Sequence, residues 1–239
     1  GLLDVVMLGH LGEAELASIG VAARAIFVPT IMLVGTTTAG ALITAQYWGA
    51  KNYIGVRENT ALTWCVSMTF ALVAMAAFFV FPESIMGFTT NDPSIIELGS
   101  QYLTITAPSM FSVACVTTML FGLRAIHRPS VSTFFSGIGL IIYILFNWVL
   151  IFGKIGFPEM GLQGAAVATL LSGLVELTLL YVYVYIKKLE LSFGIRNVLS
   201  SLNLNKVFNF LKLSIPTTLN FLVWALGLFV CHAIVGQTG

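Results

Sequence analysis

Long apolar stretches broken by short polar turns run the length of the chain. Most approach or exceed the ~20 residues that an α-helix needs to cross a bilayer. They predict helices over residues 16–48, 59–81, 96–123, 130–152, 161–186 and 216–235. A shorter apolar stretch, residues 1–9, is about half a spanning length. It has no initiator Met and no basic leader, so it reads as a helix entered part-way rather than as a signal peptide. Stretch 16–48 would be about 50 Å long and must tilt, bend or project. Pro29 and the small-residue run 35–40 are its expected kink, and Pro108 sits inside stretch 96–123. Residues 49–58 form a polar hinge, Glu83 and Asp92 lie in an acidic loop, and residues 187–212 read as an interfacial linker with some helical character.

Polar residues recur inside these stretches at helical spacing. Ser132, Ser136, Gly139, Tyr143 and Asn147 fall in one stripe of the fifth span, and Thr169, Ser172, Glu176 and Tyr183 in one stripe of the sixth. Gln101, Thr104, Pro108, Ser112 and Cys115 give the fourth a small or polar face. Small and hydroxylated residues also serve ordinary helix packing in membranes. Asn147 and Glu176 are stronger polar groups and require a partner or water.

Composition narrows the class. The chain is 58% hydrophobic and 9% charged, against roughly 25% charged in soluble domains, which predicts an all-α polytopic membrane helix bundle. No basic stripe of the kind that phosphates require is present, so nucleic acid is not an expected partner. The three cysteines, Cys65, Cys115 and Cys231, lie in apolar spans without metal spacing, and no metal site is expected. The histidines, His10, His127 and His232, are scattered over different loops and spans; with no nucleophile motif or nucleotide loop, an enzyme is not expected. Lys51, Arg57, Arg124, Arg128, Lys187, Lys188, Arg196, Lys206 and Lys212 fall on one side of the spans, and Lys154 on the other with Glu13, Glu15, Glu83, Asp92 and Glu159. The basic side is expected to be cytoplasmic.

Asp4 is the carboxylate for which the bundle must find a use, because an ionised group in a span is costly and by default functional. Helical rise puts Asp4 about 8 Å and Asn147 about 9 Å from the outer ends of their spans, with Thr169 and Arg24 at about 10–12 Å. These four can share one layer, and Glu176 lies deeper, at about 22 Å. Three readings of Asp4 stay open: a proton or cation site tuned by burial, a structural ion pair with Arg24, or an Asp4 ignored by an Arg24 that snorkels outward. A faint echo between residues 4–12 and 231–239, each with Gly after four residues and again after two more, suggests two six-helix halves related by an axis along the membrane normal.

Several segments, in order, resemble one family. The run Asp4-Val-Val-Met-Leu-Gly-His-Leu-Gly with Glu-Leu-Ala-Ser-Ile-Gly-Val-Ala behind it is similar to the first two helices of the multidrug and toxic compound extrusion family. Ala45-Gln-Tyr-Trp-Gly-Ala50, Gly122-Leu-Arg-Ala125, and Asn147-Trp-Val-Leu-Ile-Phe-Gly153 with Pro158 through Thr169 resemble its later segments. The resemblance implies a monomeric twelve-helix antiporter of the prokaryotic inner membrane, exporting drugs and organic cations against inward Na⁺ or H⁺, with no other cofactor. It divides the chain into an N-lobe (1–187), a cytoplasmic linker (188–213) and the first helix of a C-lobe (214–239). It places the N-lobe cation or proton site on Asp4 with Asn147, and leaves Arg24, Tyr143, Thr169, Ser172 and Glu176 as cavity-lining candidates. Tyr143 stands where some members carry Asn, Trp224 stands where many carry Glu, and Glu176 inherits no family role. A lipid-linked oligosaccharide flippase of related fold is the alternative, and it calls for a more cationic cavity than Arg24 alone provides. A membrane-embedded enzyme or a purely structural membrane protein is more distant.

Overall fold

The computed structural model describes residues 12–154, 156 and 158–238, all helix and connecting turn. Asp4, His10 and the first part of the echo lie outside the described residues. The helices are α1 (Glu13–Gly49), α2 (Tyr53–Val80), α3 (Pro82–Gly87), α4 (Pro93–Thr106), α5 (Ser109–Ala125), α6 (Pro129–Ile151), α7 (Gly161–Ile186), α8 (Ile195–Ser201) and α9 (Leu204–Thr238). Helices α1, α2, α6 and α7 are each long and apolar enough to span a membrane, and α4 with α5 make a fifth span if taken as one bent unit. Their outward faces carry Val73, Phe79, Phe134, Ile141, Leu145 and Val182, the apolar surface that lipid requires.

Two expectations change. The second span first: residues 13–49 form one continuous helix, α1, with Pro29 and the run 35–40 inside it. Its small residues serve close packing: a Cβ on Gly40 would meet the Thr63 side chain, and one on Gly35 would lie 2.6 Å from the Thr218 Cα of α9. Thr36, Thr37 and Thr38 each return their hydroxyl proton to a carbonyl one turn back, so no polar hydrogen is stranded in the seam. The fourth span, by contrast, is broken. Pro108 lacks the N–H that would bind the Thr104 carbonyl, and α4 and α5 meet at 52°. The expected linker is largely helical: α8 lies in it, and α9 starts at Leu204 and continues through Pro216. Asn203 accepts from the Asn205 N–H at the start of α9, at 3.0 Å.

Buried side chains form two clusters stacked along the bundle. One gathers Ile19, Leu33, Met86, Leu103, Ile151 and Leu162; the other gathers Val56, Met119, Leu123, Phe135, Leu180 and Leu191. Beneath the second, the segment after α7 folds back under the helices. Leu191 packs on Gly122, and the Tyr185 hydroxyl donates to the Phe193 carbonyl at 2.5 Å. At this end Arg128 approaches Glu190 at 4.0 Å and Lys206 meets Glu58 at 2.6 Å, gathering basic residues that the sequence put on one side. At the opposite end Gln163 of α7 donates to Gln101 of α4 at 3.2 Å.

Candidate functional site

The polar stripes predicted on the fifth and sixth spans face each other in the α6–α7 hairpin. Two glycines set its antiparallel register. A Cβ on Gly164 would lie 2.7 Å from the Leu150 carbonyl oxygen, and one on Gly139 would lie 2.5 Å from the Glu176 carboxyl. The same register brings Asn147 level with Ala168 and Tyr143 level with Ser172. Asn147 and Thr169 therefore share one layer, and Glu176 sits about 12 Å from Asn147 along the axis, toward the basic end.

Asn147 is 0% exposed. Its Nδ2 donates to the Tyr143 carbonyl at 3.1 Å, while Oδ1 is buried and finds no donor among the described residues. A buried carbonyl oxygen without a donor costs about 1–3 kcal/mol. Thr169 is half-buried and donates to the Ala165 carbonyl at 2.9 Å; Ser172 is buried and donates to the Thr169 carbonyl at 3.1 Å. Tyr143 is half-buried one turn from Asn147.

Arg24 lies elsewhere in character. Its side chain is exposed and forms no ion pair among the described residues. Among the described residues no three His, Cys, Asp or Glu side chains gather into a metal-holding group, and His127 is exposed at the end of α5.

The structure brings forward residues that pattern reading did not place among the site candidates. Ser112 is buried on α5 beside Gly173 of α7, and Ser67 is buried on α2; neither hydroxyl has a hydrogen-bond partner among the described residues. Ser112 lay on the predicted face of the fourth span, so a rule favouring hydroxyls opposite glycines would have raised it. Ser67 offers no such signal. Asn59 of α2 donates to the Gly40 carbonyl and to Thr44, both at 2.8 Å, and fastens α1 to α2. Trp64 of α2 donates its indole N–H to the Cys115 sulfur at 3.3 Å. A cavity of about 270 Å³ lies between α1, α2 and α9, lined by Tyr47, Asn59, Phe210 and the Glu58–Lys206 pair.

A helical membrane bundle with a buried polar layer is a general design, and comparison with known proteins specifies it. The MatE family model matches residues 1–149. This chain belongs to the MatE family. The MatE match includes Asp4, Arg24, Tyr143 and Asn147 and stops before Thr169, Ser172 and Glu176. A probable multidrug resistance protein NorM of Rhizobium meliloti is 30% identical over 169 residues, which are 70% of this chain and 36% of that protein. A probable multidrug resistance protein NorM of Thermotoga maritima is 29% identical over 236 residues, 96% of this chain and 49% of that protein. The fold matches a crystal structure of a mutant MATE with a TM-score of 0.88 at 18% identity, over 100% of this chain and 52% of that one. The chain spans about half the length of these relatives, or less. Its MatE membership and its long apolar helices make it an integral membrane protein.

Proposed function

We propose that the protein is a cation-coupled antiporter, not an enzyme, that exports drugs and other organic cations from the cell by alternating access. The observation that carries this reading is the buried Oδ1 of Asn147, which has no donor among the described residues, inside a MatE helix bundle. An unclaimed carbonyl oxygen suits the two ions such a site takes: it accepts from the O–H of a protonated carboxyl, or it coordinates Na⁺ directly. Asp4 supplies the carboxylate in this reading, and ion binding there shifts the balance between outward- and inward-open states. Tyr143, Thr169 and Ser172 are the neighbouring polar groups assigned to the cavity in this reading. The division into an N-lobe, a linker over 188–213 and the start of a C-lobe belongs to this proposal, as do the inner membrane, a monomeric unit and the absence of any cofactor beyond the ion. The names of the NorM relatives support multidrug substrates. The flippase alternative needs interior cations, and the exposed Arg24 does not supply one.

The test is efflux of a fluorescent organic cation from cells producing the complete protein, wild type against Asp4→Asn, under imposed Na⁺ and pH gradients. Asp4→Asn is expected to abolish gradient-driven efflux at equal membrane abundance, and the effective gradient names the ion. Efflux at the wild-type rate in Asp4→Asn overturns the coupling role.

A further inference from the structure

At the basic end, the α1–α2 hairpin and α9 meet without closing the space between them. Asn59 and the close Gly40–Thr63 contact hold α1 to α2, and Tyr47 lies against Gly55, where a Cβ would be 2.6 Å from the ring. Helix α9 runs along the other side of α1: Phe210 and Ser214 are buried, and Thr218 abuts Gly35. A spacing of four residues puts these three in one stripe of α9. Among the described residues α1 packs on both neighbours, whereas α2 and α9 share no packed seam of their own. The cavity of about 270 Å³ is the wedge left between them. Glu58 and Leu62 of α2 line it on one side, Lys206, Asn209 and Leu213 of α9 on the other, and Tyr47 of α1 completes the lining.

One carboxylate bridges this wedge. Glu58 Oε2 accepts from the Lys206 ammonium at 2.6 Å and Oε1 from the Ser200 hydroxyl at 2.8 Å, and Lys206 also donates to the Ser200 carbonyl at 3.4 Å. Ser200 stands on α8, which packs on α2, so its hydroxyl presets the carboxylate from the α2 side. Lys206 stands on α9, which is joined to α8 through Leu202 and Asn203 alone. From Lys206 to the Thr218–Gly35 contact is a lever of about 18 Å. The Lys206 and Glu58 side chains keep 43% and 23% exposure, so water takes over both charges when they part and separation costs little. An apolar seam in the same place would expose its buried surface at every opening.

Resting on the antiporter reading, we propose that Glu58 is a latch on the cytoplasmic side of the bundle. Engaged with Lys206, it holds the foot of α9 across the wedge and keeps that side shut. Released, α9 rolls on its small-residue contact with α1, turning at residues 202–203, and the wedge opens to the cytoplasm. The antiporter reading makes α9 the first helix of the C-lobe, so the latch sets how readily the two lobes part at this face.

The test uses the complete protein in a cysteine-free background carrying Asn209→Cys in the wedge, labelled in inside-out vesicles by an impermeant thiol reagent. Glu58→Gln and Lys206→Met are each expected to speed labelling by about threefold or more, and Glu58→Lys combined with Lys206→Glu to return it to the parent rate. In cells, joining Glu58→Cys to Lys206→Cys with a short membrane-permeant bifunctional thiosulfonate is expected to stop efflux of a fluorescent organic cation, and a reductant to restore it. Labelling at the parent rate in Glu58→Gln overturns the latch, and so does efflux that continues through the joined pair. A rise in labelling that the reversed pair fails to undo overturns it too, since the ionic tie would then not be what holds the wedge. A parent that exports no cation while the labelling follows the expected pattern removes the antiporter reading and leaves the latch standing.

Discussion

A single amide carries the clearest conflict between stability and use in this molecule. Asn147 is buried in the α6–α7 seam, with one hydrogen bond made and no donor to its Oδ1 among the described residues. Asn147→Val removes the buried amide with little added volume, a change that is near neutral or stabilising in a packed interior. The expected outcome is a thermal midpoint at or above wild type together with loss of ion-driven efflux; a marked loss of stability would show that the amide is structural. Asn59 is the opposite case. Both of its Nδ2 bonds cross to α1, and Asn59→Ala is expected to lower stability by about 1 kcal/mol, read as a lower thermal midpoint, because interhelical bonds in membranes average ~0.6 and reach ~1.7 kcal/mol. At this scale the sequence was partly legible. Spacing put Asn147, Thr169, Ser172 and Glu176 on interior faces, since the helical period alone determines that. It could not separate hydroxyls that satisfy themselves on their own backbone, such as Thr169, from those with no partner among the described residues, Ser112 and Ser67, because that depends on which neighbour lies across the seam.

Helix pairs show why glycine matters at some positions and not at others. Gly164 has its back against the Leu150 carbonyl oxygen, a backbone atom that cannot swing aside. Gly164→Ala should force α6 and α7 apart and cost about 1–3 kcal/mol. Gly137, on the outward face of α6, has nothing within 4 Å, and Gly137→Ala should stabilise by about 0.5–1 kcal/mol through helix propensity. Thermal midpoints of the two variants in one detergent should move in opposite directions. Span existence and type were legible because apolar length is a strong signal, and α7 begins and ends where its pattern does, at Gly161 and Ile186. In the run 35–40 the close packing was not legible, since small residues that permit a bend also permit contact, and here α2 and α9 lie close enough to use them. The start of α9 was hidden because Lys206 and Asn209 look like linker until Glu58 is seen to receive the lysine.

Alternation of the spans fixes which turns share a membrane face across the whole bundle. Single cysteines at Lys188 and Lys154, introduced into a cysteine-free background, should react with an impermeant thiol reagent from opposite sides, Lys188 from the cytoplasmic side. Labelling of both from one side would overturn the orientation. The charge pattern made this face assignment legible before any contact was known, whereas the break at Pro108 gave only its position and not its consequence. That break has a mechanical meaning. A straight span behaves as a rod and carries torque from one leaflet to the other. Here α4 is tied near one surface through Gln101 to Gln163, and α5 is tied in the interior through Cys115 to Trp64. The 52° elbow between them aims the two halves of this span differently, so that one half meets α7 near a surface and the other meets α2 in the interior.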